Sequence, residues 1–195
     1  MTFTTTAPAT ASTAQSAPPP GATTASPLPA TSLLLRGAAL ASIVFAGAIF
    51  GFFYAWVCST MWGLDAADPR VAIAAMQAMN GSVRNAVFFP AFFLTPAVLG
   101  GTALLCRTHG HRQAARWFGL AAAVYFFGGL VLTATINVPM NRELDEVVVP
   151  SSVEQARMIW DDYSGRWQVF NQLRTVASGI SLVLAGLGLS SLPRR

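Results

Sequence analysis

Charge is what this chain has least of. Only 10% of its 195 residues are Asp, Glu, Lys or Arg, against roughly 25% in a soluble domain. Lysine is missing altogether, so all 12 basic residues are Arg. These are scattered, and no basic cluster is interleaved with aromatics, so the net charge of +4 does not point to a nucleic-acid partner. Cysteine is scarce too. Cys58 and Cys106 fall at opposite ends of successive apolar runs, a bilayer apart and beyond the about 7 Å Cα separation a disulfide can bridge. They read as small apolar packing residues. His109 and His111 have no acid or Cys beside them, and a metal site needs three or four ligands. They read as solvated loop residues, and no metal is expected. Also missing are a Gly-rich phosphate loop, a zinc motif and a Ser-His-Asp set.

What remains is hydrophobic: 53% of the chain, with mean hydropathy +0.51. Residues 1–32 carry no charged side chain and are rich in Thr, Ala, Ser and Pro; such a segment buries too little apolar surface to order itself, so a disordered cytoplasmic tail is expected. It does not match a signal peptide, because the only early charge is Arg36 and the run behind it is too long. Residues 33–195 then hold four apolar runs, about 37–61, 85–106, 117–138 and 175–192, none containing an ionised residue. A membrane helix needs about 20 such residues. The fold class is therefore all-α: a four-helix transmembrane bundle with amphipathic helical segments in its outer loops and membrane lipid as its surroundings. Arg107, Arg112 and Arg116 in the middle loop, Arg36 before the first run and Arg194 and Arg195 at the end place both termini and that loop in the cytoplasm by the positive-inside rule, with a plasma membrane location.

The two outer loops hold the polar chemistry. Asp68-Pro69 reads as a helix start, followed by Val71, Ala75, Met79 and Val83 at helical spacing, which predicts a short amphipathic helix along the outer surface. In the second loop Ser151 to Glu154 fits a capping box, and the helix it opens can run on into the fourth span unless Gly165 breaks it. On that helix Trp160, Tyr163, Trp167, Asn171, Arg174 and Ser178 form one stripe. The third span reaches the same level with Thr133 and Asn137, and past Pro139 with Asn141. Two bland readings compete: Asn137 can satisfy backbone freed by Pro139, and Arg174 can snorkel to the headgroups. Gly47, Gly51 and Ala55 read as a close-packing stripe, and Pro90 and Pro96 as kinks.

Asn80, Asn137, Asn141, Trp167, Asn171 and Arg174 thus gather at one end of the bundle as candidate substrate-binding residues. They suit a small, flat aromatic ligand with an oxygen to be held. Met76-Gln77-Ala78-Met79-Asn80, Thr135-Ile136-Asn137-Val138-Pro139-Met140-Asn141 and Trp167 followed by Asn171 and Arg174 resemble the anthrone oxygenase family of small membrane proteins, over about residues 39–192. The resemblance implies oxidation of an anthrone to an anthraquinone by dioxygen with no cofactor. The ring methylene would lose a proton, and the delocalised anion would pass an electron to dioxygen. The protein would bind the ring, assist deprotonation and stabilise the phenolate-like oxygen. No base stands in the cluster; Glu143, Asp161 and Asp162 are only near it in sequence. A non-catalytic protein binding a lipid or quinone, or supporting a membrane partner, is the second reading.

Overall fold

The computed structural model describes residues 1–2 and 30–193; most of the expected disordered tail lies outside them. Among the described residues all regular structure is helical: α1 (Ala30–Ala66), α2 (Pro69–Ser82), α3 (Phe88–Thr108), α4 (Arg112–Asp145) and α5 (Val153–Ser190). Four of these, α1, α3, α4 and α5, are long and apolar enough to cross a membrane. They close a ring in which α1 packs on α3, α3 on α4, α4 on α5 and α5 on α1. The fold is the expected all-α bundle, but three of its helices overrun the expected spans.

Length explains the architecture. The 21 residues of α3 cover about 31 Å at about 1.5 Å per residue, just enough for the hydrocarbon. The 37, 34 and 38 residues of α1, α4 and α5 cover far more. Phe52 packs against Phe88 at the start of α3 (4.6 Å between rings), while Ser42 bonds Thr102 (2.9 Å) near its end. The excess of α1 therefore stands mostly beyond the start of α3. The overhangs of α4 and α5 join it there, and with α2 they build a second hydrophobic core from Met61, Ile73, Met76, Met140, Leu144, Trp160, Tyr163 and Trp167. We refer to this as the capped end and to the opposite one, with the α3–α4 turn, as the turn end.

α2 begins as its sequence predicts: Asp68 caps it, accepting from the Arg70 backbone N–H (2.9 Å), and Pro69 takes the first position. The buried face differs. Ala72, Ile73, Met76 and Asn80 are buried and Val71 is exposed, because α2 packs on the overhangs of α4 and α5. Gln77 fastens it, donating to the carbonyls of Leu144 (2.8 Å) and Val147 (2.9 Å) where α4 ends. α5 starts one residue later than the Ser151 box implies. Ser152 is the cap, accepting from Gln155 N–H (3.3 Å) and donating to Glu154 (2.8 Å). It then runs unbroken through Gly165.

The prolines divide. Pro90 lies in the first turn of α3, where backbone N–H groups have no helical acceptor, so it makes no kink. Pro96 lies inside the helix and deprives the Phe92 carbonyl of its usual donor; the Tyr125 hydroxyl from α4 supplies one (2.9 Å). Around Pro139, α4 widens into i→i+5 winding at Phe126–Val131 and Thr133–Asn137 and continues. The expected small-residue stripe is not a helix seam: Gly51 and Ala55 are exposed, and nothing lies within 4 Å of where a Gly51 Cβ would be. The close approaches are elsewhere. A Cβ on Gly128 would meet that of Ala177 at 2.5 Å, and one on Gly188 the Phe118 ring at 2.6 Å. Cys58 is exposed, Cys106 buried, and both are free.

Candidate functional site

Where the membrane bundle meets the cap there is a cavity of about 360 Å³, within the range of small-molecule sites. Its walls are aromatic. Phe88 and Phe92, and Phe89 and Phe93, are pairs four residues apart on α3 and so share faces of that helix; all four line the cavity, with Phe52, Phe53 and Trp56 of α1 opposite. Phe88 and Phe92 stack at 5.4 Å, and Trp56 sits 5.0 Å from Trp167. Nothing in the polar spacing singled these phenylalanines out. The available signal was the doubled Phe pair at i, i+4, which also reads as ordinary lipid-facing sequence.

Four of the six expected residues are on the wall: Asn80, Asn141, Trp167 and Arg174. Asn137 and Asn171 are buried and stand outside its lining. Asn171 holds Arg174 in place. Its side-chain oxygen accepts from the guanidinium (2.9 Å), and its amide donates to the Phe53 carbonyl (3.2 Å) just before α1 widens at Trp56–Thr60. Arg174 is only 5% exposed, so it does not snorkel. Its guanidinium lies over Phe53 (4.6 Å) and Trp167 (5.1 Å) and reaches Thr133 (3.4 Å). Each desolvated cation–π contact contributes about 2 kcal/mol. No carboxylate pairs with it among the described residues, whose two ion pairs are Arg70–Asp68 and Arg84–Asp145.

One free donor stands on the wall. Asn141 accepts at its side-chain oxygen from the Tyr163 hydroxyl (2.9 Å) and from Trp167 Nε1 (2.9 Å). An indole N–H can only donate, which fixes the amide orientation and leaves the nitrogen free to donate. Asn80 Nδ2 and Arg174 Nε are buried with no partner among the described residues. Asn137 is 0% exposed, and neither of its amide atoms has a partner; it does not satisfy backbone freed by Pro139. A buried unpartnered polar group costs about 1–3 kcal/mol. The Asn141 amide nitrogen is thus free to donate to an acceptor oxygen, with the Arg174 guanidinium on the same wall.

Acids keep away. No Asp or Glu lines the cavity; Glu143 and Asp162 face a different hollow, between α4 and α5. The carboxylate joined to a wall residue is Asp145, bonded to Arg84 at 3.2 Å. Asp65, at the end of α1, is occupied elsewhere. It accepts from Trp160 Nε1 (2.9 Å), Ser164 (2.6 Å) and Gln168 (2.9 Å), tying α1 to the overhang of α5. That role was not visible in the sequence, where Asp65 stands in a mixed-sign loop. Among the described residues no group of three His, Cys, Asp or Glu could hold a metal ion.

The family model for anthrone oxygenase matches residues 79–184, more than half of the chain. The chain belongs to the anthrone oxygenase family. No curated protein and no solved structure matches it. The anthrone oxygenase match takes in all six candidate residues and the phenylalanines of α3, while the α1 side of the cavity lies before it.

Proposed function

We propose that this membrane protein oxidises an anthrone-like polycyclic aromatic with dioxygen, without a cofactor, in the cavity between bundle and cap. The observation that carries the reading is Arg174: a buried cation between two aromatic faces, in a cavity lined by no acid and beside the free amide nitrogen of Asn141. A neutral anthrone becomes an acid once its keto oxygen is held by such donors, because they stabilise the enolate that deprotonation leaves. The carbanion form of that enolate gives its electrons to dioxygen, a C–O bond forms, and the ring-carbon hydroperoxide loses water to leave the quinone carbonyl. The balance is one CH₂ and one O₂ to one C=O and one H₂O. Phe88, Phe92 and Trp167 would flank the rings, and Arg174 with Asn141 and Asn80 would hold the oxygen. Asp145, bonded to the wall residue Arg84 (3.2 Å), is the acceptor we assign to the first proton.

The cavity would face the outside of a plasma membrane, with both termini cytoplasmic. This orientation follows from Arg36, Arg107, Arg112 and Arg116 at the turn end. The acid-free wall supports a second reading, a non-catalytic protein that binds a quinone or lipid. Purified protein incubated with an anthrone under air, with quinone formation and oxygen uptake followed together, separates the two. Equimolar oxygen uptake and quinone formation above a heat-treated control supports the oxygenase. Binding without turnover leaves the second reading.

A further inference from the structure

The turn end has a cavity of its own. α3 and α4 are joined there by His109, Gly110 and His111, with Gly110 at φ +82° making the reversal. Between the two helices lies a pocket of about 600 Å³ lined by Ala103, Leu104, Arg107, Arg112, Ala115 and Arg116. Ala103 and Ala115 are short, so the helices leave a groove. Leu104 is 62% exposed and opens it toward lipid. Arg107 enters from the last turn of α3; Arg112 and Arg116, four residues apart, enter from the first turns of α4. All three are exposed, and none donates a side-chain hydrogen bond or forms an ion pair among the described residues.

Two further facts sharpen this. The eight acids of the chain are Asp65, Asp68, Glu143, Asp145, Glu146, Glu154, Asp161 and Asp162, all in segments of the capped end, so no Asp or Glu side chain neutralises the three arginines. And α4 begins without a side-chain cap, His111 making no such bond. Arg112 N–H turns back to the Gly110 carbonyl (3.0 Å), and the other N–H groups of the first turn add positive potential at the same place. A soluble anion would satisfy the charged part and leave the apolar part in water. A phospholipid satisfies both.

We propose that this pocket holds an anionic phospholipid, its headgroup phosphate among Arg107, Arg112 and Arg116 and an acyl chain against Ala103, Leu104 and Ala115. Basic pockets between membrane helices recognise such headgroups, and each Arg near the surface contributes about 1 kcal/mol. The site is independent of the cavity at the capped end and of any activity there.

The test uses the full chain, delipidated in neutral detergent and supplied with phosphatidylglycerol, phosphatidylcholine of the same acyl chains, or inorganic phosphate. Bound lipid is counted by native mass spectrometry, and thermal unfolding is followed in parallel. Phosphatidylglycerol should be retained and should raise the melting temperature, while phosphatidylcholine and phosphate do neither. Replacing the three together (Arg107→Gln, Arg112→Gln, Arg116→Gln) should lower affinity on the order of a hundredfold. Arg36→Gln, at the same end but with its guanidinium bonded to the Pro193 carbonyl (2.7 Å), should keep it. Should the triple variant not fold, Arg112→Gln and Arg116→Gln singly are read the same way, each losing several-fold. Equal retention of both lipids, an equal effect of phosphate, or an equal loss in Arg36→Gln would each overturn the proposal.

Discussion

Arg36 and Arg174 show how differently one side chain serves at the two ends of a membrane helix bundle. Arg36 is partly exposed and bonds a backbone carbonyl, a task a lysine ammonium also performs. Arg174 fits its plane between Phe53 and Trp167 while donating to Asn171 and Thr133, which an ammonium cannot reproduce. Arg174→Lys should cut anthrone turnover or ligand affinity at least tenfold, with expression unchanged; Arg36→Lys should leave both alone. Wild-type behaviour of Arg174→Lys in binding and turnover would remove the pocket's central feature. Asn137 makes the opposite case. Because neither amide atom is partnered, replacing it by an apolar residue of similar volume removes a penalty of about 1–3 kcal/mol. Asn137→Leu should therefore raise the melting temperature in detergent and, since the residue stands outside the cavity lining, leave ligand binding unchanged; a lowered melting temperature would show that the amide has a structural partner. Polar residues were readable in the sequence because each is rare against an apolar background, and their spacing put them on common helix faces. The phenylalanines of the wall were not, since a Phe that faces a cavity and one that faces lipid look alike in a membrane span.

Helices here are defended at their weak points by side chains from their neighbours. Pro96 leaves the Phe92 carbonyl without a helical donor, and Tyr125 supplies it (2.9 Å). Tyr125→Phe should destabilise the bundle by about 1–3 kcal/mol, read as a lower unfolding midpoint, because the hydroxyl is fully buried and its loss leaves the Phe92 carbonyl without its donor. Gly128→Ala would put a methyl group against Ala177 on α5, whereas Gly51→Ala would meet nothing within 4 Å. The first should cost about 1–3 kcal/mol of stability, and the second should be silent. The sequence suggested the reverse emphasis, a seam along Gly47, Gly51 and Ala55. A small-residue stripe does not say whether a neighbour occupies it when lipid and protein are equally apolar. α2 was readable to the residue at its start, because Asp68-Pro69 is a local signal. Its buried face was not, since that depends on the overhangs of α4 and α5. The Asp68 carboxyl is drawn down to about 2 by hydrogen bonds from the Arg70 side chain and backbone, against 3.8 ordinarily. A lowered carboxyl pKa stabilises the fold above the ordinary value and stops doing so as pH falls through the lowered one. Hydrogen exchange in α2, corrected for its intrinsic pH dependence, should quicken between about pH 4 and pH 2, and Asp68→Ala should show that faster exchange already at neutral pH.

As a whole the molecule is polarised: acids and a hydrophobic cap at one end, unpaired arginines at the other. The number of spanning helices could be read from uninterrupted apolar runs, and the all-α class with it. Their true lengths could not, because the polar overhangs of α1, α4 and α5 are stabilised by one another rather than by any local pattern. A cytoplasm-active reporter fused after Arg195 should be active and one inserted near Val148 silent; the reverse pattern would invert the proposed orientation. The cavity has one thin side. Phe89 and Phe93 line it and are themselves 41% and 51% exposed, so on this side the rings carry no second layer of protein between the cavity and the surroundings of the spanning helix α3. A hydrophobic substrate would then be sampled from a two-dimensional solvent, and the KM belongs to its mole fraction among lipids rather than its molarity. In proteoliposomes, doubling inert lipid at fixed total substrate should double the apparent molar KM and leave kcat unchanged, whereas a KM indifferent to lipid would put the entrance on the water side of the cap.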